Sequence, residues 1–164
     1  MSKNLIDLLR HFPEASIHGP TNLMIEDIVF DSRQVKPKTL FVALKGLHVD
    51  GHSFIQAAFN QGGEAFLVQD PLYVAGGTVI QVPDTLRALS KLSNIFWDEP
   101  SKQLLMVGIT GTNGKTTTTY LLESIFQKAS RPCGVLGTIN YRFGSMVKPA
   151  SNTTPFASDL QRFL

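Results

Sequence analysis

Leu104-Leu105-Met106-Val107-Gly108-Ile109-Thr110-Gly111-Thr112-Asn113-Gly114-Lys115-Thr116-Thr117 is the stretch on which the reading of the fold turns. Its apolar start, residues 104–109, reads as a fully buried strand. A glycine-bearing loop then leads into a helical pattern with Leu121, Leu122, Ile125, Phe126 and Ala129 facing inward, and residues 133–139 read as the next strand. Strand, loop, helix and strand in that order make the βαβ unit of a parallel α/β sheet. Counted from residue 103, the unit has about 60 residues, a size at which a single core is marginal. An incomplete domain is therefore expected.

A loop between strand and helix is where a phosphate-binding motif belongs. Glycines let successive backbone N–H groups turn toward phosphate oxygens, and the helix N-terminus adds partial positive charge where the anion sits. Lys115 is positioned to meet the β- and γ-phosphates, Thr116 to offer its hydroxyl to Mg²⁺, and Thr117 to continue the cradle. The candidate nucleotide-binding residues are thus Gly111, Thr112, Asn113, Gly114, Lys115, Thr116 and Thr117. Lys115 and Thr116 are the candidate catalytic pair, and Thr116 is the candidate metal ligand. The pattern G-x-x-x-x-G-K-[ST] is not met, because Ile109 stands where the first glycine belongs and Gly108 comes one position early. The expected ligand is ATP or GTP with Mg²⁺.

Upstream, helix and strand signals alternate. Leu5, Leu8, Leu9 and Phe12 share a helical face behind Asn4 as cap, and Pro13 stops that helix. Residues 25–30 and 40–44 are apolar runs bounded by turn formers and read as strands. A helix from Ser53 closed by Gly62-Gly63 precedes buried strands over 65–68 and 78–82. Asp84 then caps a helix in which Leu86, Leu89, Ser93 and Phe96 share a face, ending near Pro100. A boundary near residue 102 follows, dividing the chain into 1–102 and 103–164.

Composition narrows the partners. Fifteen Lys and Arg against 13 Asp and Glu, evenly mixed, do not give the clustered basic footprint of a nucleic-acid binder. Cys133 is the sole cysteine and cannot close an internal disulfide; it reads as a small core residue, and Trp97 as packing. His11, His18, His48 and His52 lack metal-ligand spacing and read as solvated or capping residues. No apolar run approaches the roughly 20 residues needed to cross a bilayer, and the N-terminus carries no signal-peptide core. No nucleic-acid partner, no membrane and a cytoplasmic location are expected.

Gly111-Thr112-Asn113-Gly114-Lys115-Thr116-Thr117-Thr118 in place of the ordinary loop resembles the Mur ligases, the ATP-dependent amide-forming enzymes that build the peptide stem of peptidoglycan. Asp31-Ser32-Arg33, residues 40–46, and Asp50-Gly51-His52-Ser53-Phe54 resemble the nucleotide-sugar-binding domain of the members that add the third amino acid or the terminal dipeptide. Those two members stay open on these segments. Asn152-Thr153-Thr154-Pro155 resembles the third-residue-adding (MurE-type) member, and the likeness runs the length of the chain in order. It implies an α/β fold in which 1–102 is a small N-terminal α/β domain binding the UDP-MurNAc substrate and 103–164 is the truncated start of a P-loop parallel-sheet ATPase domain. It further implies that Phe30 and Ser32 contact the UDP-muramoyl substrate, that Leu47, His48 and Val49 close over the uridine, and that Asn152, Thr153 and Thr154 hold the muramoyl-dipeptide near the γ-phosphate. Read alone, Asp31-Ser32-Arg33 is a turn with a local Asp to Arg contact, and Thr154-Pro155 is an N-cap before an amphipathic segment with Leu160, Phe163 and Leu164.

The implied reaction activates the D-glutamate side-chain carboxylate of UDP-MurNAc-L-Ala-D-Glu with ATP. The acyl phosphate is attacked by the amine of a diamino acid, meso-diaminopimelate or L-lysine, and ADP and phosphate leave. By the same resemblance, downstream metal ligands, a carbamylated lysine and an amino-acid-binding domain lie beyond residue 164, so the chain is expected to be an inactive N-terminal fragment and a monomer. The dipeptide-adding ligase, a non-catalytic nucleotide-sugar-binding module and a P-loop GTPase or kinase fragment are the alternatives.

Overall fold

In a computed structural model describing residues 1–46 and 48–164, alternate side chains of the central strands enter two separate cores. Leu40, Val42, Ala65, Leu67 and Ile80 face one, while Phe41, Ala43, Phe66, Val68 and Val79 face the other. This is the two-residue period of a strand buried on both sides. The chain runs β1 (Lys3–Asn4), α1 (Leu5–Leu9), β2 (Ser16–His18), β3 (Met24–Ile25), β4 (Asp27–Val29), β5 (Thr39–Val42), α2 (Ile55–Asn60), β6 (Ala65–Val68), β7 (Thr78–Gln81) and α3 (Thr85–Phe96). It continues with α4 (Lys115–Lys128), β8 (Gly134–Leu136), β9 (Asn140–Phe143), β10 (Met146–Pro149) and α5 (Ala157–Phe163). Strands β4, β5, β6 and β7 lie side by side in parallel, and β2 pairs antiparallel with β7.

Helices α1 and α3 cover the first face, with Leu8, Leu89, Leu92 and Phe96 no more than 1% exposed; α2 covers the second through Ile55 and Ala58. Each fully buried leucine of this kind contributes about 1.5–3 kcal/mol. Asn4 accepts from the Ile6 N–H at 3.1 Å and Asp84 from the Arg87 N–H at 2.9 Å, so both expected caps are present. Leu86, expected on the inner face of α3, is 55% exposed; the buried stripe is Thr85, Ala88, Leu89, Leu92, Ser93 and Phe96. The run 25–30 is broken at Glu26, whose N–H donates to the Lys38 carbonyl at 2.8 Å. As a result Ile25 pairs with Lys3 and only residues 27–29 join β5.

Beyond residue 103 the structure departs from expectation. Residues 104–109 form no strand, and Leu105 is 76% exposed where a buried position is expected. Strand β8, the expected parallel partner, pairs antiparallel with β9 in a three-stranded β8-β9-β10 meander. A parallel strand is buried only when it has neighbours at its edges and helices on its faces, and no described strand pairs with 104–109. The face of α4 expected to point inward suffers accordingly: Leu121 and Ile125 are each 61% exposed and no α4 residue is buried. Cys133, expected in the core, is half-buried. Among the described residues no helix is long and apolar enough to cross a membrane.

Helix α5 packs against α3. The Phe156 ring lies 4.5 Å from that of Phe30, Arg162 pairs with Asp27 at 2.5 Å, and the Arg162 guanidinium sits 5.6 Å over the Trp97 ring.

Candidate functional site

The loop after Ile109 is bent by two glycines in left-handed conformations, Gly111 at φ +149° and Gly114 at φ +79°. Side-chain-bearing residues enter this region at a cost of roughly 1–2 kcal/mol. Gly114 caps α4, whose first helical bond runs from the Thr118 N–H to the Gly114 carbonyl at 2.9 Å. The N–H groups at the first positions of any helix lack partners within it, and here they belong to Lys115, Thr116 and Thr117. The Lys115 ammonium folds back to the Gly111 carbonyl at 2.6 Å, which holds the positive charge over the loop. Such a loop is a ready anion site.

A cleft of about 330 Å³ opens there, lined by Gly111, Lys115 and Thr116 together with Thr153 and Thr154 from the distant segment before α5. Thr154 does not cap that helix as expected. The cap position is Phe156 and α5 begins at Ala157, which leaves both threonines at the cleft. Asn152 does not line it; its backbone is gripped by the Tyr141 hydroxyl, which donates to the Asn152 carbonyl at 2.5 Å and accepts from its N–H at 3.2 Å. Thr112, Asn113, Gly114 and Thr117 belong to the loop and the first turn of α4 without lining the cleft.

Tyr141, Thr138 and Arg142 are participants that the sequence reading misses. Arg142 lines the cleft, and its Nε donates to the two Glu123 carboxylate oxygens at 2.9 and 3.1 Å, with the Tyr120 ring 4.3 Å away. The Arg142 guanidinium holds the Glu123 carboxyl below the usual carboxylate range. The β8-β9-β10 meander carries these residues, and no local spacing in the sequence announces that pairing.

Of the remaining expected residues, Phe30, Ser32, His48 and Val49 lie elsewhere, past the carboxyl ends of β4 and β5. That edge is where open α/β sheets hold their ligands. Phe30 and Ser32 follow β4, with the Phe30 ring packed against that of Phe156 at a tilt of 46°; Asp31 caps the turn and pairs with Arg33 at 2.8 Å, as the local reading expects. His48 and Val49 are exposed on the loop after β5, and Leu47 lies outside the described residues. The two groups of residues are tied together through Phe30 and Phe156, the latter two positions beyond Thr154.

Asp50, His52 and Asp70 cluster behind this loop with ligand atoms within 4.8 Å of one another. Contrary to the reading of His52 as solvated or capping, its side chain is 12% exposed and bonded at both ring nitrogens. With those nitrogens taken and Asp70 paired to Lys45 at 2.8 Å, the cluster is satisfied by protein groups.

The Mur ligase middle domain matches residues 109–164, and the Mur ligase family catalytic domain matches residues 24–97. A UDP-N-acetylmuramoyl-L-alanyl-D-glutamate–2,6-diaminopimelate ligase of Geobacter metallireducens is 46% identical over 159 residues, covering 96% of this chain and 31% of that protein. The enzyme of the same name from Bacillus velezensis is 41% identical over 162 residues, covering 99% of this chain and 32% of the relative. The chain therefore spans about a third of the length of these curated relatives. Among solved structures, MurF from Acinetobacter baumannii superposes with a TM-score of 0.64 at 28% identity, covering 78% of this chain and 28% of that one. A solved UDP-N-acetylmuramoyl-L-alanyl-D-glutamate–2,6-diaminopimelate ligase shares the fold with a TM-score of 0.71 over 99% of this chain and 32% of its own, at 22% identity. With two family models matching 24–97 and 109–164, and relatives of one enzyme name aligned along almost all of it, the chain belongs to the Mur ligase family.

Proposed function

We propose that this chain carries the nucleotide-sugar-binding part (1–102) and the nucleotide-phosphate cradle (103–164) of an ATP-dependent ligase that adds a diamino acid to UDP-MurNAc-L-Ala-D-Glu. The observation that carries the reading is the convergence of Lys115 and Thr116 with Thr153 and Thr154 on one cleft. The residues fit a triphosphate: Gly111, Lys115 and Thr116 line a cleft within the size range of ligand sites, beside the left-handed Gly114 that opens the N-terminus of α4. The Thr116 hydroxyl, which lines the cleft, would hold Mg²⁺, and the ion would supply neutralisation of phosphate charge.

In this reading the backbone N–H groups of 115–117 and the Lys115 ammonium bind the β- and γ-phosphates, and Gly111, Thr112, Asn113 and Gly114 shape the cradle. Thr153 and Thr154 hold the muramoyl-dipeptide, with the D-glutamate carboxylate toward the γ-phosphate, and Asn152, expected among the contacts, anchors their segment through Tyr141. Phe30, Ser32 and the loop of Leu47, His48 and Val49 take the UDP end. The carboxylate oxygen displaces ADP from the γ-phosphorus to give an acyl phosphate, the amine of the diamino acid replaces phosphate, and one proton is released. Holding both reactants in line lowers the barrier through proximity. The names of the relatives favour meso-diaminopimelate as that amino acid. A second reading, the dipeptide-adding ligase, is favoured by the likeness to MurF at 28% identity.

Isothermal titration with Mg-ATP and, separately, with UDP-MurNAc-L-Ala-D-Glu tests the proposal. Saturable binding of both is expected. Binding of the sugar nucleotide alone would instead identify a non-catalytic module, and preference for the UDP-MurNAc-tripeptide would favour the dipeptide-adding enzyme.

A further inference from the structure

In the connection between β5 and α2, Val49 is 56% exposed, while the residues on either side are tightly fixed. The Gly51 N–H donates to the Leu44 carbonyl at 2.8 Å, the Gly46 N–H to the Val49 carbonyl at 3.0 Å, and Lys45 and Asp50 form an antiparallel bridge. A Cβ on Gly51 would stand 2.7 Å from the Leu44 nitrogen, so backbone packs directly on backbone there. One side chain joins these residues to the neighbouring strand. His52 Nε2 lies 2.9 Å from the Gln69 N–H and 3.4 Å from the Asp70 N–H, just past the end of β6, while Nδ1 lies 2.6 Å from Asp50 Oδ1.

The chemistry of these partners fixes the state of the ring. A backbone N–H only donates, so Nε2 must present its lone pair; the neutral ring then carries its proton on Nδ1, aimed at a carboxylate that only accepts. Asp50 is further occupied by the His52 N–H at 2.9 Å, and Lys45 ties Asp70 back to the same loop at 2.8 Å.

We propose that His52, as its Nδ1–H tautomer, is a positioning residue that locks Lys45, Gly46, Val49 and Asp50 onto the carboxyl end of β6 and so pre-forms the surface that receives the nucleotide end of the substrate. The inference deepens the reading above and rests on its assignment of this edge to a UDP group. A loop fixed before binding loses less freedom on binding, and that difference appears as affinity.

Two measurements on the 164-residue chain test it. Nitrogen-resolved NMR of the imidazole should report a proton on Nδ1; a proton on Nε2 overturns the proposal whatever the chain binds. Titration with UDP should then show an approximately tenfold weaker affinity for His52→Ala, with most of the loss recovered in His52→Gln, whose oxygen reaches the Gln69 N–H. Mg-ATP affinity should be unchanged in both. If His52→Ala does not fold, His52→Asn, which reaches Asp50 but not Gln69, should bind UDP more weakly than His52→Gln. Wild-type affinity in His52→Ala, or in His52→Asn, overturns the positioning role. Failure of the wild-type chain to bind UDP overturns the reading of the edge itself, and this inference with it.

Discussion

Gly114→Ala is the perturbation whose cost the structure defines most cleanly. Gly114 sits at φ +79°, and a Cβ built there has no atom within 4 Å. The substitution therefore adds no clash, and its penalty is the left-handed backbone alone, about 1–2 kcal/mol for an L-residue. If the bend is needed to aim the α4 N-terminus at phosphate, that energy comes out of nucleotide binding, a factor of about 5 to 30 in affinity. Gly108 supplies the control: it too has open space around its Cβ, and its backbone is not left-handed. Calorimetric titration with Mg-ATP should show the loss for Gly114→Ala, near-wild-type affinity for Gly108→Ala, and partial recovery for Gly114→Asn, since asparagine tolerates this conformation better than alanine. Thermal unfolding of the five-stranded sheet should be alike in all three. Equal affinities for wild type and Gly114→Ala, or an equal loss for Gly108→Ala, would refute the reasoning.

Two further outcomes are expected. Leu67→Ala empties a site 1% exposed between the sheet and its helices and should cost about 2–5 kcal/mol in denaturant unfolding, whereas Leu105→Ala, at a position 76% exposed, should change stability by less than about 0.5 kcal/mol. A multi-kcal/mol loss for Leu105→Ala would show that the 104–109 run is buried in solution. Because Arg142 holds the Glu123 carboxyl below its usual range, folded chain gives up that charge at lower pH than unfolded chain. The pair's contribution is complete above the ordinary carboxylate range and is lost as pH falls through the depressed value. Melting temperatures of wild type and Glu123→Gln should accordingly differ most near neutrality and converge in acid; a gap that widens in acid contradicts the assignment.

Much of the first hundred residues was legible because the sheet is covered on both faces. The apolar runs 40–44, 65–68 and 78–82 carry the signal of strands buried on two sides, and Asn4 and Asp84 mark helix starts through their own side-chain bonds. Leu86 misled because it sits beside the buried stripe of α3 and shares its apolar character. Residues 104–109 misled for a different reason. Their composition states a preference for burial, but burial of a parallel strand is a property of its neighbours, and the described strands supply none. At the candidate site, the glycine and lysine spacing was readable because the loop's geometry is local. The contributions of Tyr141, Arg142 and His52 were not, since each depends on a partner, Asn152, Glu123 or Gln69, that only the folded chain brings near.

The central claim is that the loop of residues 111–117 binds the phosphates of ATP with the Lys115 ammonium as counter-charge, and titration of Mg-ATP into wild type and Lys115→Ala tests it most directly. Charge-assisted hydrogen bonds of about 1.5–3 kcal/mol imply an affinity loss of about 10- to 150-fold, with UDP-MurNAc-L-Ala-D-Glu bound equally by both proteins. Equal Mg-ATP affinity in the two proteins would contradict the account.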